Sequence, residues 1–128
     1  MNKILFIDDE EIVARQASRM LRLKGYDVVV VNDSEAAVSK VEEHQPDLIL
    51  MDLEFEGSIS GLEATRRIRT NAATQDVPVI VVSGSYLATF QAEAYNAGAN
   101  DVDEKPFDFG RLCSKIEAAL SRTRKVAP

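Results

Sequence analysis

Five residues scattered along the chain are of the types that could handle a phosphoryl group: Asp8, Asp9, Asp52, Ser83 and Lys105. Carboxylates crowded together repel one another and raise their pKa values unless something positive sits among them. A hard divalent cation with oxygen ligands answers that need. Mg²⁺ typically takes one or two carboxylates and keeps its other positions for waters and phosphate oxygens. A lysine adds a point positive charge, and a serine hydroxyl can donate to a phosphoryl oxygen. In such company a carboxylate can act as a nucleophile and carry an acyl phosphate. Asp52 is the candidate for that role.

These residues can meet only if the fold brings them together, and their immediate contexts predict that it does. Leu48-Ile49-Leu50-Met51 is an apolar run that stops at Asp52. A run of that length reads as a strand buried on both faces, as in a parallel sheet. Ile4 to Ile7 is a second such run, ending at Asp8-Asp9, and Val77 to Val82 a third, ending at Ser83-Gly84. A weaker strand over 101–104 leads into Lys105-Pro106, and Val28 to Val31 supplies the remaining one. In open α/β sheets, chemistry sits just past the carboxyl ends of the strands.

Helical patterns fill the gaps. Ile12/Val13, Ala17 and Met20/Leu21 recur at helical spacing, and Gly25 is placed to close that helix. Asn32 or Asp33 can cap the next helix, which runs to about Glu43. Ser60 with Glu63 three residues on forms a capping box for a helix to about Thr70, with Arg66, Arg67 and Arg69 largely outward. An Ala-rich helix spans about Tyr86 to Ala97, closed by Gly98. Asp108 caps the last helix, whose apolar stripe is Phe109, Leu112, Cys113, Ile116 and Leu120. Five β-α units in alternation predict a parallel sheet with helices on both faces.

The 128 residues suit one domain able to bury roughly two-thirds of its unfolded surface without staples. A formal net charge of −6 speaks against non-specific binding to nucleic acid or anionic membranes and suits a protein that holds a cation. The single cysteine, Cys113, excludes an internal disulfide and fits a reducing compartment. With no run long enough to span a membrane and no signal-peptide pattern, the chain reads as cytoplasmic. His44, the only histidine, stands at a helix end beside Gln45-Pro46 and is no candidate phosphodonor.

The stretches Phe6-Ile7-Asp8-Asp9, Asp47 to Asp52, Val81-Val82-Ser83-Gly84, Ala97-Gly98-Ala99 and Lys105-Pro106-Phe107 occur in order and at the right separations to resemble the receiver domains of two-component response regulators. The resemblance runs from Lys3 to about Arg122. It implies a flavodoxin-like three-layer (βα)5 fold with strand order 2-1-3-4-5, a receiver domain over 1–124, and a tail or linker start over 125–128. Asp52 would be the phosphoacceptor. Asp8 and Asp9, with Asp52 and the backbone carbonyl of Glu54, would hold Mg²⁺. Ser83 would be the switch hydroxyl and Lys105 the phosphoryl-contacting lysine, followed by a cis Lys105-Pro106 bond. The implied partners are a sensor histidine kinase or histidine phosphotransfer protein and a downstream target not named by the sequence. A homodimer through helices four and five is compatible with it.

Departures from the family pattern accompany the match. Val102 stands where receivers usually carry Tyr or Phe, the aromatic whose inward rotation would couple to the hydroxyl. Asp103 and Glu104 replace apolar residues, which predicts a short or frayed fifth strand. Glu54 brings another carboxylate near the phosphoacceptor, with a predicted effect on dephosphorylation rate. The missing aromatic and the acidic fifth strand lend weight to one alternative, a receiver-shaped interaction module that never needs phosphate, although a scaffold gains nothing from clustered like charges. A haloacid-dehalogenase-like phosphatase also uses Asp, a hydroxyl, Lys and Mg²⁺. Those enzymes want an acidic Asp two residues after the nucleophile, whereas Asp8 is followed by Asp9-Glu10, and the chain has no cap insertion.

Overall fold

The computed structural model describes residues 1–56 and 58–126, with side chains as far as Arg122. Gly57 of the loop after Asp52, residues 127 and 128 of the expected tail, and the basic side chains of Arg124 and Lys125 lie outside the described residues. Strands β1 (Lys3–Ile7), β2 (Asp27–Val31), β3 (Leu48–Asp52), β4 (Val79–Ser83) and β5 (Asp101–Glu104) form one parallel sheet in the order 2-1-3-4-5. Helices α1 (Glu11–Leu23), α2 (Ala37–His44), α3 (Gly61–Thr70), α4 (Leu87–Ala97) and α5 (Phe109–Val126) alternate with them, which is the flavodoxin-like arrangement.

The apolar runs become the innermost strands because they can be covered on both faces. Every residue of β3 and of β4 is buried. Alternate side chains of the sheet feed two cores. One joins Leu5, Ile49, Met51, Val79 and Val81 to α2, α3 and α4 through Val41, Ile68, Phe90 and Ala94. The other joins Ile4, Phe6, Leu50 and Val82 to α1 and α5 through Leu21, Leu112 and Ile116. Among the described residues, no helix is long and apolar enough to cross a membrane.

Helix ends follow the local chemistry. Ser60 Oγ accepts from the Glu63 amide at 3.1 Å, and Asp108 accepts from the Arg111 amide at 3.0 Å. Asp33 caps a short 3₁₀ turn (Ser34–Ala36) that precedes α2, so the regular helix starts later than its cap. Gly25 and Gly98 end their helices with φ of 95° and 112°, in the left-handed region that only glycine enters freely.

Three expectations need correction. The buried stripe of α1 is Ala14, Ala17, Ser18 and Leu21, while Ile12 is 74% exposed and Met20 40%. Small residues let this helix sit close to the sheet, with Leu21 the large side chain packed beneath it, while Ile12 and Met20 point away. Arg69 is not outward: its guanidinium donates to the carbonyls of Gly98 (2.8 Å), Gln75 (2.9 Å) and Val77 (2.6 Å) and to Asn100 Oδ1 (2.7 Å). Strand β5 is not frayed either. Its four residues pair in register with Ile80 to Ser83, and Asp103 is fully buried because Arg111 Nε reaches its carboxylate at 2.8 Å from the first turn of α5.

Candidate functional site

Strands ending together in a parallel sheet must place the residues that follow them along one rim. Asp8 follows β1, Asp52 ends β3, Ser83 ends β4, and Lys105 follows β5. Asp8 and Asp52 are 1% exposed, buried by the same packing that ends their strands. Two carboxylates cannot be buried side by side without a counter-charge. Lys105 supplies it: Nζ lies 2.7 Å from Asp8 Oδ2, 3.2 Å from Asp52 Oδ1 and 3.3 Å from Glu10 Oε1. The Lys105-Pro106 bond that carries this lysine round the end of β5 is cis.

One cation does not balance this set. Burial first, then the Asp8 charge, pushes the Asp52 carboxyl up to about 7, against the opposing pull of Lys105. The Glu54 charge adds to the push. Burial alone would lower the Lys105 ammonium, but its hydrogen bond to Asp8 and the charges of Asp52 and Asp8 outweigh that and raise it. The lysine is thus held charged while Asp52 is poised between its two forms near neutrality. Asp52 Oδ2 is buried and, among the described residues, has no hydrogen-bond partner.

An acidic group stands at this rim. Ligand oxygens of Asp8, Glu10 and Asp52 lie within 4.8 Å of one another, a spacing and a donor chemistry suited to a hard divalent cation. Glu10 was not among the candidates read from the sequence. It enters because its amide donates to Asp8 Oδ1 at 2.8 Å, which folds the turn so that its side chain reaches Lys105. Asp9 Oδ2 accepts from the Glu56 amide at 3.2 Å and ties the loop after β3 to the rim. The only signal for Glu10 was its place in an unbroken acidic run, which does not say which acid faces inward.

The loop after Asp52 is held tightly. Gly61 donates to the Leu53 carbonyl at 2.8 Å, and a Cβ at Gly61 would sit 1.9 Å from the Asp52 carbonyl oxygen. Only glycine allows α3 to begin this close to the end of β3. Within the loop, the Glu54 side chain bends back so that its carboxylate accepts from the Ser83 hydroxyl and, at 3.4 Å, from Ser85. The sequence placed Glu54 here for its carbonyl; in the structure its side chain engages the candidate switch hydroxyl. Val102 is buried in the core packed by α4, so no aromatic ring stands at that position.

Comparisons with known proteins agree with this geometry. Residues 4–117 match the family model of the response regulator receiver domain. Response regulator ArlR of Staphylococcus saprophyticus is 35% identical over 95% of this chain and 54% of its own length. The phosphate regulon transcriptional regulatory protein PhoB of Pseudomonas aeruginosa is 30% identical over 94% of this chain and 52% of its own. The chain therefore spans about half the length of the curated relatives it matches. Among solved structures, the receiver domain of sensor histidine kinase PA1611 from Pseudomonas aeruginosa, with a magnesium ion coordinated in its active site cleft, superposes with a TM-score of 0.85 and 31% identity, covering 94% of this chain and 98% of that one. With its sheet order, its acidic rim and a family match over nearly its whole length, this chain belongs to the response regulator receiver domains.

Proposed function

We propose that this receiver accepts a phosphoryl group on Asp52 from a phosphohistidine of a sensor kinase or phosphotransfer protein, in a Mg²⁺-dependent reaction. The observation that carries the reading is the pairing of buried Asp52 with Lys105 beside an unpartnered carboxylate oxygen. Asp103 Oδ2 is likewise buried without a partner among the described residues, but Asp103 faces two cations, Arg111 and Lys115, whereas Asp52 must share the single Lys105 with Asp8. Asp8, Glu10 and Asp52 would hold the cation, with Asp9 and the Glu54 carbonyl assigned only by family resemblance. When bound, Mg²⁺ would offset the carboxylate charge and polarise the phosphoryl oxygens.

The chain's own residues do the rest. An Asp52 oxygen attacks phosphorus, a P–O bond forms, and the P–N bond to histidine breaks with its electron pair going to the departing nitrogen, which takes up a proton. Lys105, held charged by Asp8, is placed to receive the negative phosphoryl group once Asp52 has reacted. Ser83 must leave Glu54 to donate to that group. The receiver is in this sense its own catalyst and is not a turnover enzyme. A groove bounded by Val13, Ala17, Pro106, Phe107 and Phe109 opens beside Lys105 and offers the donor protein an apolar seat next to the acceptor.

The test is intact-mass analysis after incubation with acetyl phosphate and Mg²⁺. The wild type should gain one phosphoryl group, labile to base, that is lost on omitting Mg²⁺ and absent in Asp52→Asn. A gain that survives the substitution removes Asp52 from the role.

A further inference from the structure

A second concavity lies away from Lys105, along the free edge of the sheet. A groove of about 620 Å³ runs beside β2 between two helical stripes. Ala14, Arg15, Ser18 and Arg22 line it from α1, and Lys40 and His44 from α2. Its floor is the edge strand itself, Val29 to Val31. Strand β2 is terminal in the sheet and pairs only with β1.

The backbone of that floor has bonding capacity to spare. The Asp27 amide donates to Asn2 and the Val31 carbonyl accepts from Asp8, both towards β1. A strand alternates the direction of its polar groups, so residues 27, 29 and 31 face β1, and Val28 and Val30 face outward. Arg22 confirms the direction by donating to the Val28 carbonyl from outside at 2.8 Å. Val30 keeps its outward amide and carbonyl, and its side chain is 41% exposed. An open edge of this kind recruits another strand unless it is covered.

Two further observations point to a ligand. Ser18 is 1% exposed, lines the groove, and its hydroxyl has no hydrogen-bond partner among the described residues. A buried hydroxyl without a partner is an unmet demand. The groove is also polarised. At its carboxyl end, Asp33 has no cationic partner among the described residues; at its amino end, Arg22 has no anionic one. Lys40 adds to the positive end, shared with Glu43.

We propose that this slot docks one extended peptide segment of a partner protein, added to β2 as a sixth strand. Strand addition takes its affinity from main-chain hydrogen bonds and its specificity from alternate side chains. Antiparallel pairing is the stabler geometry. In that direction the peptide's amino-terminal half lies against Asp33 and is basic, and its carboxyl-terminal half lies against Arg22 and Lys40 and is acidic. A central hydroxyl side chain meets Ser18. The flanking helices select a bare strand over a second copy of this domain, which would bring its own α1 and α2 into the same space.

The test uses the full chain, ¹⁵N-labelled and saturated with Mg²⁺, titrated with the peptide Lys-Lys-Val-Thr-Val-Glu-Glu up to about 1 mM. The Val28, Val30 and Ser18 amides should shift saturably, with a Kd on the order of 100 μM. Peptide N-methylated on the residues facing β2 keeps every charge and should bind at least about tenfold more weakly. Val30→Pro removes an outward donor without touching the β1 ladder and should abolish binding. Ser18→Ala should weaken it severalfold. Unshifted Val28 and Val30 amides, or equal binding by the N-methylated peptide, overturn the proposal whatever Val30→Pro does to folding. A dimer in peptide-free sedimentation that Val30→Pro dissociates would assign the edge to a second copy and overturn it too.

Discussion

Replacing Asp52 by Asn should make the metal-free protein more stable, and increasingly so as the pH rises. The Asp52 carboxyl stands at about 7 in the folded chain against 3.8 in its unperturbed state, chiefly through burial and then through Asp8. A carboxyl raised in the folded state binds its proton more tightly there than in the unfolded chain. Its contribution is therefore fully present below pH 3.8 and is lost as the pH climbs through 7. Three units of difference correspond to on the order of 4 kcal/mol. The substituted asparagine would hold no charge, and Lys105 would keep Asp8 at 2.7 Å and Glu10 at 3.3 Å. Urea unfolding in EDTA, followed by circular dichroism from pH 4 to 8.5, should show the two proteins nearly equal at the acid end. Asp52→Asn should gain about 2–4 kcal/mol above pH 7, or roughly 10 °C in Tm for a domain of this size. Mg²⁺ should close the gap by stabilising the wild type more than the variant. Parallel pH curves, or a variant less stable at pH 8, would refute the picture of Asp52 as a carboxylate held against its own electrostatics.

The same geometry makes other outcomes testable. Glu54→Ala frees the Ser83 hydroxyl and removes a charge acting on Asp52; losing a bond worth about 1 kcal/mol net should speed acetyl-phosphate labelling about fivefold, measured as initial rates by intact mass. Arg69→Ala leaves the Gly98, Gln75 and Val77 carbonyls without their donor and should cost about 2–3 kcal/mol in urea unfolding with an unchanged m-value; Arg69→Lys should recover little, because a point charge cannot span the carbonyls. Gly61→Ala drives a Cβ into the Asp52 carbonyl and should cost at least about 2 kcal/mol, with reduced Mg²⁺ affinity by fluorescence or calorimetric titration.

The sheet and its rim were legible because an apolar run that stops at a charged residue marks both a buried strand and its end. Asp52 after Leu48-Ile49-Leu50-Met51 is the clearest case, and Ser60 before Glu63 marked the start of α3 by a rule local to four residues. What failed were features settled by residues distant in sequence. Asp103 looks like a strand breaker until Arg111, eight residues on, folds back to neutralise it. Arg69 looks like one more surface arginine because its carbonyls come from separate turns. The α1 stripe was misread because hydropathy weights Ile12 and Met20, whereas close packing on the sheet favours Ala14, Ala17 and Ser18. Adjacent acids pose the same problem: whether Asp9 or Glu10 faces Lys105 depends on the turn at Asp8, and the residue types alone carry no sign of it.

Charge explains why one rim could serve as a switch. Two carboxylates fully buried beside one ammonium leave an excess negative charge, and Glu10 and Glu54 increase it from the solvent side. Such an arrangement is costly when empty and relaxes when a cation arrives, so metal binding and the nucleophilic form of Asp52 favour each other. On the proposed function, a phosphoryl group on Asp52 would return negative charge to the same place, and the groups able to meet it would be Lys105 and a Ser83 that has let go of Glu54. The carboxylate of Glu54 and that phosphoryl group would compete for one hydroxyl. Because Glu54 belongs to the loop that Asp9 and Gly61 tie down, displacing it must disturb that loop, even though Val102 offers no aromatic ring to report the change.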